Sequence, residues 1–447
     1  MPLDASQDLF SDDFSDEPFW WRAARPMEVS QDGMKTEVDV LVVGSGYAGL
    51  CCALELGRAG VDVTVVDAGA IGGGASSRAA GFVSGRAGVS KQINLEKAVG
   101  PERADAILME ADEAFEHWRD AIATEEIDCD YVHKGRFVGA HTPTAYRKIA
   151  AKMTEYNQDG RGLFEMIPRA DQRAYVKSPR FFGGMLIKNA GAVHPAKYHA
   201  GLLRLCRAAG GRFVPHTRVL SILSEGDKKR VVTAAGDILA RRVAFAGGGY
   251  TDAAMPWLKR RIIPMSSTIM ATAPLDPSLV ASLLPAGCPT IDAKRVISFA
   301  RPSPDGRHIL FGGRARFYPL SAEKSVRILH AHMVETFPEL AGVKIINAWS
   351  GLMAFTFDFL PKLGREDGVD YATACNGGSG IVMMSWLGRK MAWNILGGAN
   401  RGSAFENLPF KTQPLYTGTP WFIPFIGEWY RFRDWIDLRE VRSGRAD

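Results

Sequence analysis

The clearest hydrophobic pattern of the chain is a strand, a glycine turn and a helix near its beginning. The run from Val38 to Val43 is apolar and has the length of a buried strand. An apolar helix follows the turn and ends near Gly60, and a second strand ends at Asp67. This order of elements predicts a βαβ unit with a parallel sheet.

Helical and strand spacing alternate along the rest of the chain. Helices are predicted at residues 99–126, 144–156, 195–209 and 321–337. Strands are predicted at residues 129–138, 185–188, 212–223, 231–235, 262–272, 296–300 and 308–314, and the glycine-rich part 351–398 ends in a helix. The alternation predicts an α/β fold with α+β insertions, in which a Rossmann-type nucleotide-binding domain carries an inserted, mostly antiparallel β-sheet substrate domain.

The same pattern predicts that both domains are built from separated segments. Residues 1–36 are expected to form a loosely structured arm anchored by two tryptophans. We expect the cofactor domain at residues 37–118, 190–255 and 346–403, the substrate domain at 119–189 and 256–345, and an aromatic extension at 404–447.

The glycine turn carries the first chemical signal. Gly44, Gly46 and Gly49 form a G-x-G-x-x-G motif between the strand and the helix, with Tyr47 and Ala48 inside it. Such glycines permit a tight turn, a close approach of the backbone to a pyrophosphate and close helix–strand packing. Asp67, followed by Ala68, stands where an acid hydrogen-bonds a ribose hydroxyl. The motif predicts a dinucleotide site and leaves FAD and NAD both open.

The loop after Asp67 decides between these two cofactors. Gly74, Ser76, Ser77 and Arg78 match a Gly-x-Ser-x-Arg loop, and the chain here resembles the FAD-dependent oxidoreductases of the D-amino-acid-oxidase superfamily. The family's next Asn-Gly is replaced by Ala79-Ala80, ahead of Gly81. Because histidine-linked relatives carry His where Arg78 stands, the resemblance implies FAD that is bound non-covalently.

The resemblance extends through residues 38–400 and is closest to the gamma-glutamylputrescine-oxidase-like branch. The segments GAVHPAKY, TRVLSI, FAGGGYT, WSGLMAFTFDFLPKLG and CNGGSGI all match motifs of the family. It implies further FAD contacts at Ala80, Gly81, Val219, Gly247, Gly248, Gly351, Gly378, Ser379, Gly380 and Ile381. Glycines before an apolar helix also supply free N–H groups at a positive helix end, where they stabilise charge on a reduced flavin.

The resemblance implies oxidation of the C–N bond of an amine or amino acid, with hydride transfer to flavin N5 and hydrolysis of the imine. Arg301, Arg314, Phe82 and Phe355 are the candidate substrate contacts, since an arginine can clamp a carboxylate bidentately. No catalytic acid or base is assigned, and His194 is interpreted as a helix cap. The electron acceptor, O2 or another, stays open.

Composition narrows the class of protein. The net charge is only +5 over 447 residues, and the sequence has no long basic tract. Both observations argue against nucleic-acid binding. Six cysteines show no metal-binding spacing, so no metal site is predicted and free thiols in the cytoplasm are expected. The acidic N-terminal stretch is unlike a secretory signal.

Two other functions and the tail stay open at this point. The alternatives are a non-catalytic FAD-binding or partner-assembly flavoprotein, and an NAD-dependent dehydrogenase that uses the same glycine turn. The C-terminal aromatic segment either packs on the body as a helix or lies on a membrane surface or a partner subunit.

Overall fold

The strands and helices below come from a computed structural model that describes residues 9–26, 33–89, 94–315, 317, 320–373, 380–398 and 402–442. Its strands are β1 (Phe10–Ser15), β2 (Glu37–Val43), β3 (Val63–Val66), β4 (Phe82–Ser84), β5 (Arg136–Gly139), β6 (Phe164–Ile167), β7 (Gly184–Ile187), β8 (Ala190–Ala192), β9 (Arg212–Val214), β10 (Val219–Glu225), β11 (Lys228–Thr233), β12 (Gly236–Phe245), β13 (Ile263–Thr272), β14 (Thr290–Asp292), β15 (Ser298–Pro302), β16 (Ile309–Gly313), β17 (Ile345–Phe355), β18 (Lys362–Glu366) and β19 (Val369–Thr373). Its α-helices are α1 (Tyr47–Arg58), α2 (Ala75–Arg78), α3 (Leu95–Val99), α4 (Pro101–Thr124), α5 (Pro143–Ala150), α6 (Met153–Tyr156), α7 (Pro195–Ala208), α8 (Pro256–Lys259), α9 (Pro277–Leu283), α10 (Ala322–Thr336), α11 (Gly380–Leu396) and α12 (Ile423–Arg442).

A parallel sheet carries the predicted βαβ unit. Strands β9, β3, β2, β12 and β19 pair in this order, all in parallel. All four residues of β3 are buried, because helices cover both faces of such a sheet and select apolar side chains on both. Strand β11 pairs antiparallel with β12, and β10 pairs antiparallel with β11, so these two strands extend the sheet.

The second sheet has nine strands among the described residues, in the order β1-β17-β13-β16-β15-β14-β5-β7-β6. Its pairs are antiparallel except β1 with β17 and β14 with β5. Strands β13 and β17 run side by side from Ile263 opposite Phe355 to Thr272 opposite Ile345. The α/β fold with a second, mostly antiparallel sheet is confirmed.

The N-terminal arm is more ordered than its composition predicts. Within residues 9–26, β1 pairs with β17, and a short 3₁₀ helix at Phe19–Arg22 buries Trp20 completely. The Trp20 ring contacts Trp349 edge-on, with 6.4 Å between ring centroids. A buried indole contributes a large apolar area, which outweighs the polar composition around it.

Several element boundaries also differ from the sequence pattern. The predicted strand 212–223 is two strands, β9 and β10, because the chain turns at His216, whose φ is +52°. The predicted strand 129–138 begins only at Arg136, and the predicted helix 144–156 is broken between α5 and α6. These boundaries differ because the hydrophobic pattern of one segment does not show which sheet a short strand joins.

The C-terminal extension forms α12, but four of its five aromatic side chains, all except Tyr430, point away from the body. Phe425, Trp429 and Phe432 are 73%, 54% and 48% exposed. The reading in which this helix packs its aromatic stripe on the body is therefore wrong. No helix within the described ranges is long and apolar enough to cross a membrane.

Candidate active site

A cavity of about 940 Å³ extends from the glycine turn to the second sheet. One end is lined by the β2–α1 turn and Asp67, and the other by residues of β13, β15 and β17. The first residues of α11, Gly380 and Ile381, lie along it. A cavity of this size is typical of a cofactor site.

The glycine turn brings the backbone close to this cavity. Gly44 has a φ of +101°, and a Cβ there would lie 2.7 Å from the carbonyl oxygen of Ala246. A Cβ on Gly46 would lie 2.9 Å from Ser76 Oγ, on the cavity wall. Gly49 does not line the cavity; its Cα packs against the carbonyl group of Gly44. Side chains are thus excluded where a pyrophosphate would approach, which fits FAD.

Asp67 is fixed in orientation by the turn that it follows. Its Oδ2 accepts hydrogen bonds from the Ser45 backbone N–H at 2.8 Å and from Ser45 Oγ at 2.6 Å. Its Oδ1 accepts from the Gly69 N–H at 2.9 Å. Asp67 and Ala68 both line the cavity, with Val219 on the same wall.

The Ser/Arg loop packs on the first turn of α1. Ser76 Oγ accepts from the Tyr47 N–H at 3.1 Å, and the Tyr47 hydroxyl donates to the Ser76 carbonyl at 2.7 Å. Ser77 points away from the cavity and donates to the Gly72 carbonyl at 2.6 Å. Its predicted contact with the cofactor therefore lacks support, because its hydroxyl is used within the loop.

Arg78 lines the cavity and is held from two sides. Its Nε donates to the Gly73 carbonyl at 2.8 Å, and its guanidinium lies 4.5 Å from the ring centroid of Trp21. Burial lowers the pKa of Arg78, although the group stays charged at neutral pH.

Most of the other predicted cofactor contacts also line the cavity: Ala48, Gly74, Ala80, Gly81, Gly247, Gly248, Gly351, Gly380 and Ile381. Gly81 has a φ of +80°, and its Cα lies against the Val193 carbonyl. Gly378 and Ser379 lie outside the described residues. Because Gly380 begins α11, the positive end of that helix lies at the cavity.

The end of the cavity at the second sheet is mostly apolar. Phe82 and Phe299 meet edge-on with 5.3 Å between ring centroids, and both line it. Arg314 also lines it, with its guanidinium carbon 5.0 Å from the ring centroid of Phe355 and 5.6 Å from that of Phe317. Phe355 lies outside the lining, beside Arg314, so it supports the arginine instead of the cavity wall.

Arg301 does not face the cavity. Its Nη1 donates to the carbonyls of Val193 at 2.8 Å and Ala80 at 3.1 Å, and its guanidinium lies 5.2 Å from the ring centroid of Trp20. A direct substrate contact, as the sequence suggested, is contradicted, since backbone carbonyls occupy the guanidinium. Arg301 instead holds the loop that lines the cavity.

Arg136 and Trp21 are among the lining residues that were not found from the sequence. Arg136, at the start of β5, is buried, lines the cavity and donates to Ser84 Oγ at 3.2 Å. Burial lowers the pKa of Arg136 to about 10. Trp21 of the arm lines the same cavity. An arginine that begins a buried strand was the available signal for Arg136, whereas the place of Trp21 depends on how the arm folds back.

His194 caps α7, as predicted, through its Nδ1, which accepts from the Lys197 N–H at 3.1 Å.

Known proteins resemble this chain over most of its length. Gamma-glutamylputrescine oxidoreductase of Escherichia coli K12 is 31% identical over 401 residues, which cover 89% of this chain and 92% of the relative. The crystal structure of glycine oxidase from Geobacillus kaustophilus superposes with a TM-score of 0.70 at 20% identity, covering 85% of this chain and 99% of that one. L-amino acid deaminase from Proteus vulgaris superposes with a TM-score of 0.66 at 19% identity, covering 85% and 96%.

These relatives bear on the open alternatives. All three are named as enzymes of amines or amino acids, as predicted for this chain, so the non-catalytic alternative is not favoured. A model of the family described as FAD dependent oxidoreductase matches residues 39–393, which confirms FAD over NAD. This chain is therefore a member of the FAD-dependent oxidoreductase family of D-amino-acid-oxidase type.

Proposed function

We propose that this chain oxidises the C–N bond of an amine that also carries a carboxylate group. FAD supplies the acceptor for the hydride when it is bound. The residues that would hold it non-covalently are those of the glycine turn, Asp67, the loop at residues 74–81 and the start of α11.

The observation that carries this proposal is the environment of Arg314. Its guanidinium faces the cavity between two phenylalanine rings, and its Nε has no hydrogen-bond partner among the described residues. No carboxylate in the described ranges forms an ion pair with it. A buried charge without a counterion is costly, and a substrate carboxylate would supply two parallel charge-assisted hydrogen bonds.

Arg136 supports the same substrate class from another part of the cavity wall. Arg136 lines the cavity and is 3% exposed as a whole residue. We propose that it contributes positive potential to the substrate end. The apolar side chains there, among them Phe82 and Ile297, would exclude water from the reacting carbon.

The described part of the lining offers no unpaired carboxylate, lysine or histidine as a general base for the substrate amine. Among the described lining residues, the carboxylates are Asp67, held by Ser45, and Asp252, whose Oδ2 accepts from Arg218 at 2.7 Å. No described lysine or histidine lines the cavity. We therefore propose that the substrate amine reacts in its neutral form and that the protein positions it without removing a proton.

The test is anaerobic bleaching of the flavin absorption by a panel of amines. Each carboxylate-bearing amine is compared with its methyl ester or decarboxylated analogue, and air is admitted afterwards to ask whether O2 reoxidises the flavin. We expect reduction by carboxylate-bearing amines, and an Arg314→Met variant with kcat/KM lower by about 100-fold for these substrates alone. Arg241→Met is the matched control, because the Arg241 side chain is 67% exposed and is not part of the lining.

Two results would overturn the proposal. One is bleaching by the decarboxylated analogues at rates equal to those of their parents, which would indicate an amine substrate without a carboxylate. The other is an Arg314→Met variant that retains full activity. The cytoplasm remains the proposed location, supported by the buried free thiols Cys51, Cys52, Cys129, Cys206 and Cys288.

A further inference from the structure

Helix α12 is held to the body by its polar side. Asp434 is 7% exposed, and its Oδ2 accepts from the Val296 N–H at 2.9 Å. Arg295 Nη1 donates to Asp434 Oδ1 at 3.0 Å and to Asp437 Oδ2 at 2.6 Å. Because these contacts bind the polar side, the opposite side of the helix faces outward.

The outward side carries a continuous apolar stripe. Phe425, Trp429, Phe432 and Ile436 follow one another at intervals of four, three and four, which places them on one face of an α-helix. The rings of Trp429, Phe432 and Trp435 lie side by side, with 6.0 and 5.9 Å between neighbouring centroids. These five side chains are between 37% and 73% exposed. Because a surface helix normally presents polar side chains to water, such a stripe is typical of an interaction site.

The charged side chains that flank the stripe are mostly basic. By helical spacing, Arg433 lies on one side of the stripe, and Arg431 and Arg439 lie on the other. The carboxylate of Glu428 forms an ion pair with Arg431, with 3.9 Å between Oε1 and Nη1. Among the side chains of α12 that the structure describes, three arginines and one carboxylate flank the stripe, so its edges carry a net charge of +2.

Two of these arginines lie over outward tryptophans. The guanidinium carbon of Arg433 is 5.7 Å from the ring centroid of Trp429, and that of Arg439 is 3.8 Å from the ring centroid of Trp435. Positive charge is thus held at the edge of the stripe, beside the indole rings. Indole and guanidinium groups in this arrangement are typical of the boundary between acyl chains and headgroups, where the apolar part of each side chain enters the lipid and its polar tip stays in water.

Charge and shape favour a lipid surface over the protein partners that such a stripe could also bind. A second copy of this chain would bring a face of the same net charge, and like charges repel across an interface. A protein groove would have to enclose the helix, whereas the bonds of Asp434 and Asp437 keep one side of α12 against the body. A negatively charged bilayer surface complements the basic edges and accepts a helix that lies flat on it.

We propose that α12 docks this chain on an anionic lipid surface, with the apolar stripe at the boundary between headgroups and acyl chains. The backbone of Gly427 lies against Phe317, and Phe317 contacts Arg314. Docking would therefore bring the substrate end of the cavity close to the membrane. The proposed cytoplasmic location fits this surface, since cytoplasmic leaflets carry anionic lipids.

The experiment measures binding of the full FAD-loaded chain to vesicles by co-sedimentation. Vesicles of phosphatidylcholine and phosphatidylglycerol in equal parts are compared with vesicles of phosphatidylcholine alone. We expect binding to the anionic vesicles to be tighter by about 10-fold or more, and to weaken as the salt concentration rises. The double variant Trp429→Ala, Phe432→Ala should bind anionic vesicles about 100-fold more weakly, because it removes apolar contact area. Leu223→Ala is the matched control, because Leu223 is 51% exposed on β10, and it should bind as the wild type does.

A second double variant tests the charge. Arg433→Gln with Arg439→Gln should weaken binding to anionic vesicles by about 10-fold and leave binding to neutral vesicles unchanged. Arg241→Gln is its control, at a side chain that is 67% exposed, and should have no effect. An unchanged flavin absorption spectrum and an unchanged kcat/KM without vesicles show that each variant is folded.

Three results would overturn the proposal. Equal binding to the two kinds of vesicle, or binding to neither, contradicts an anionic lipid surface. Binding that survives the Trp429→Ala, Phe432→Ala double variant contradicts the role of the stripe. The third result comes from sedimentation equilibrium without lipid, where a dimer that this double variant dissociates would assign the stripe to a second copy of the chain.

Discussion

Trp20 donates its indole N–H to the carbonyl oxygen of Ala79 at 2.9 Å and thereby joins the N-terminal arm to the loop that lines the cofactor cavity. The neighbouring Trp21 donates in the same way to Ser77 Oγ at 3.0 Å. On the other side of the loop, Trp349 donates to the Arg78 carbonyl at 2.8 Å. The loop that replaces the family's Asn-Gly with two alanines is thus held by indole groups from two distant parts of the chain.

Replacement of Trp20 by Phe should loosen this loop and weaken FAD binding. The variant keeps an aromatic ring in the buried site but leaves the Ala79 carbonyl without its indole donor, which costs about 1–3 kcal/mol. We expect a loss of this size in the free energy of unfolding of the apoprotein, measured in urea. The dissociation constant for FAD, measured by flavin fluorescence, should rise by about 10-fold.

Trp421→Phe serves as the control for Trp20→Phe, since Trp421 is 56% exposed and lies in the C-terminal segment. Its FAD affinity should equal that of the wild type. Equal losses of affinity in the two variants would contradict a specific role for the Trp20–Ala79 hydrogen bond.

The sequence predicts those features of the site that depend on local geometry. The glycine turn and Asp67 were identified because a tight turn, a strand and a helix impose recognisable residues at fixed spacing. Arg301 and Arg136 show what the sequence pattern does not predict. Both arginines lie in apolar strands, yet Arg301 donates to backbone carbonyls, whereas Arg136 lines the cavity. The position of each arginine side chain depends on which strands lie beside its own strand in the sheet. The local sequence pattern does not contain this information.

The tail shows the same limit for a helix. The aromatic spacing of residues 421–436 predicts a helix with a stripe, and α12 has one. The stripe points outward because Asp434 and Asp437 bind Arg295, a residue about 140 positions away. Periodicity gives the face of a helix, whereas long-range ion pairs decide the direction in which that face points.

Replacement of Asp67 by Asn should weaken FAD binding, because it disturbs the turn that the carboxylate fixes. The carboxylate accepts hydrogen bonds from Ser45 and Gly69, and an amide nitrogen at one of these positions would face an N–H donor. We expect the dissociation constant for FAD to rise by about 10- to 100-fold, measured by isothermal titration calorimetry on the apoprotein. Asp237→Asn, at a side chain 48% exposed on β12, should leave it unchanged. An Asp67→Asn variant with wild-type affinity would rule out the proposed ribose contact.

The activity should have an alkaline limit that depends on Arg314. Burial lowers the pKa of Arg314 to about 10, so the guanidinium is charged below that pH and loses its charge above it. Binding of a substrate carboxylate should therefore weaken as the pH rises past about 10, while deprotonation of the substrate amine raises activity at lower pH. The pH profile of kcat/KM for a carboxylate-bearing amine should be bell-shaped. A substrate without a carboxylate should lack the alkaline limb, and an identical limb for both would contradict the role of Arg314.

Protonation of His194 should destabilise the fold at acidic pH. Burial lowers the pKa of His194 from 6.5 to about 4, and its neutral Nδ1 accepts the hydrogen bond that caps α7. Since the unfolded chain binds the proton first, the stabilising contribution is complete above pH 6.5 and is lost as the pH falls towards 4. The loss should be on the order of 2–3 kcal/mol. His194→Asn keeps an acceptor at the cap and does not titrate. Its free energy of unfolding, measured in urea, should fall less than that of the wild type over this pH range, and equal slopes in the two proteins would assign the acid sensitivity to other groups.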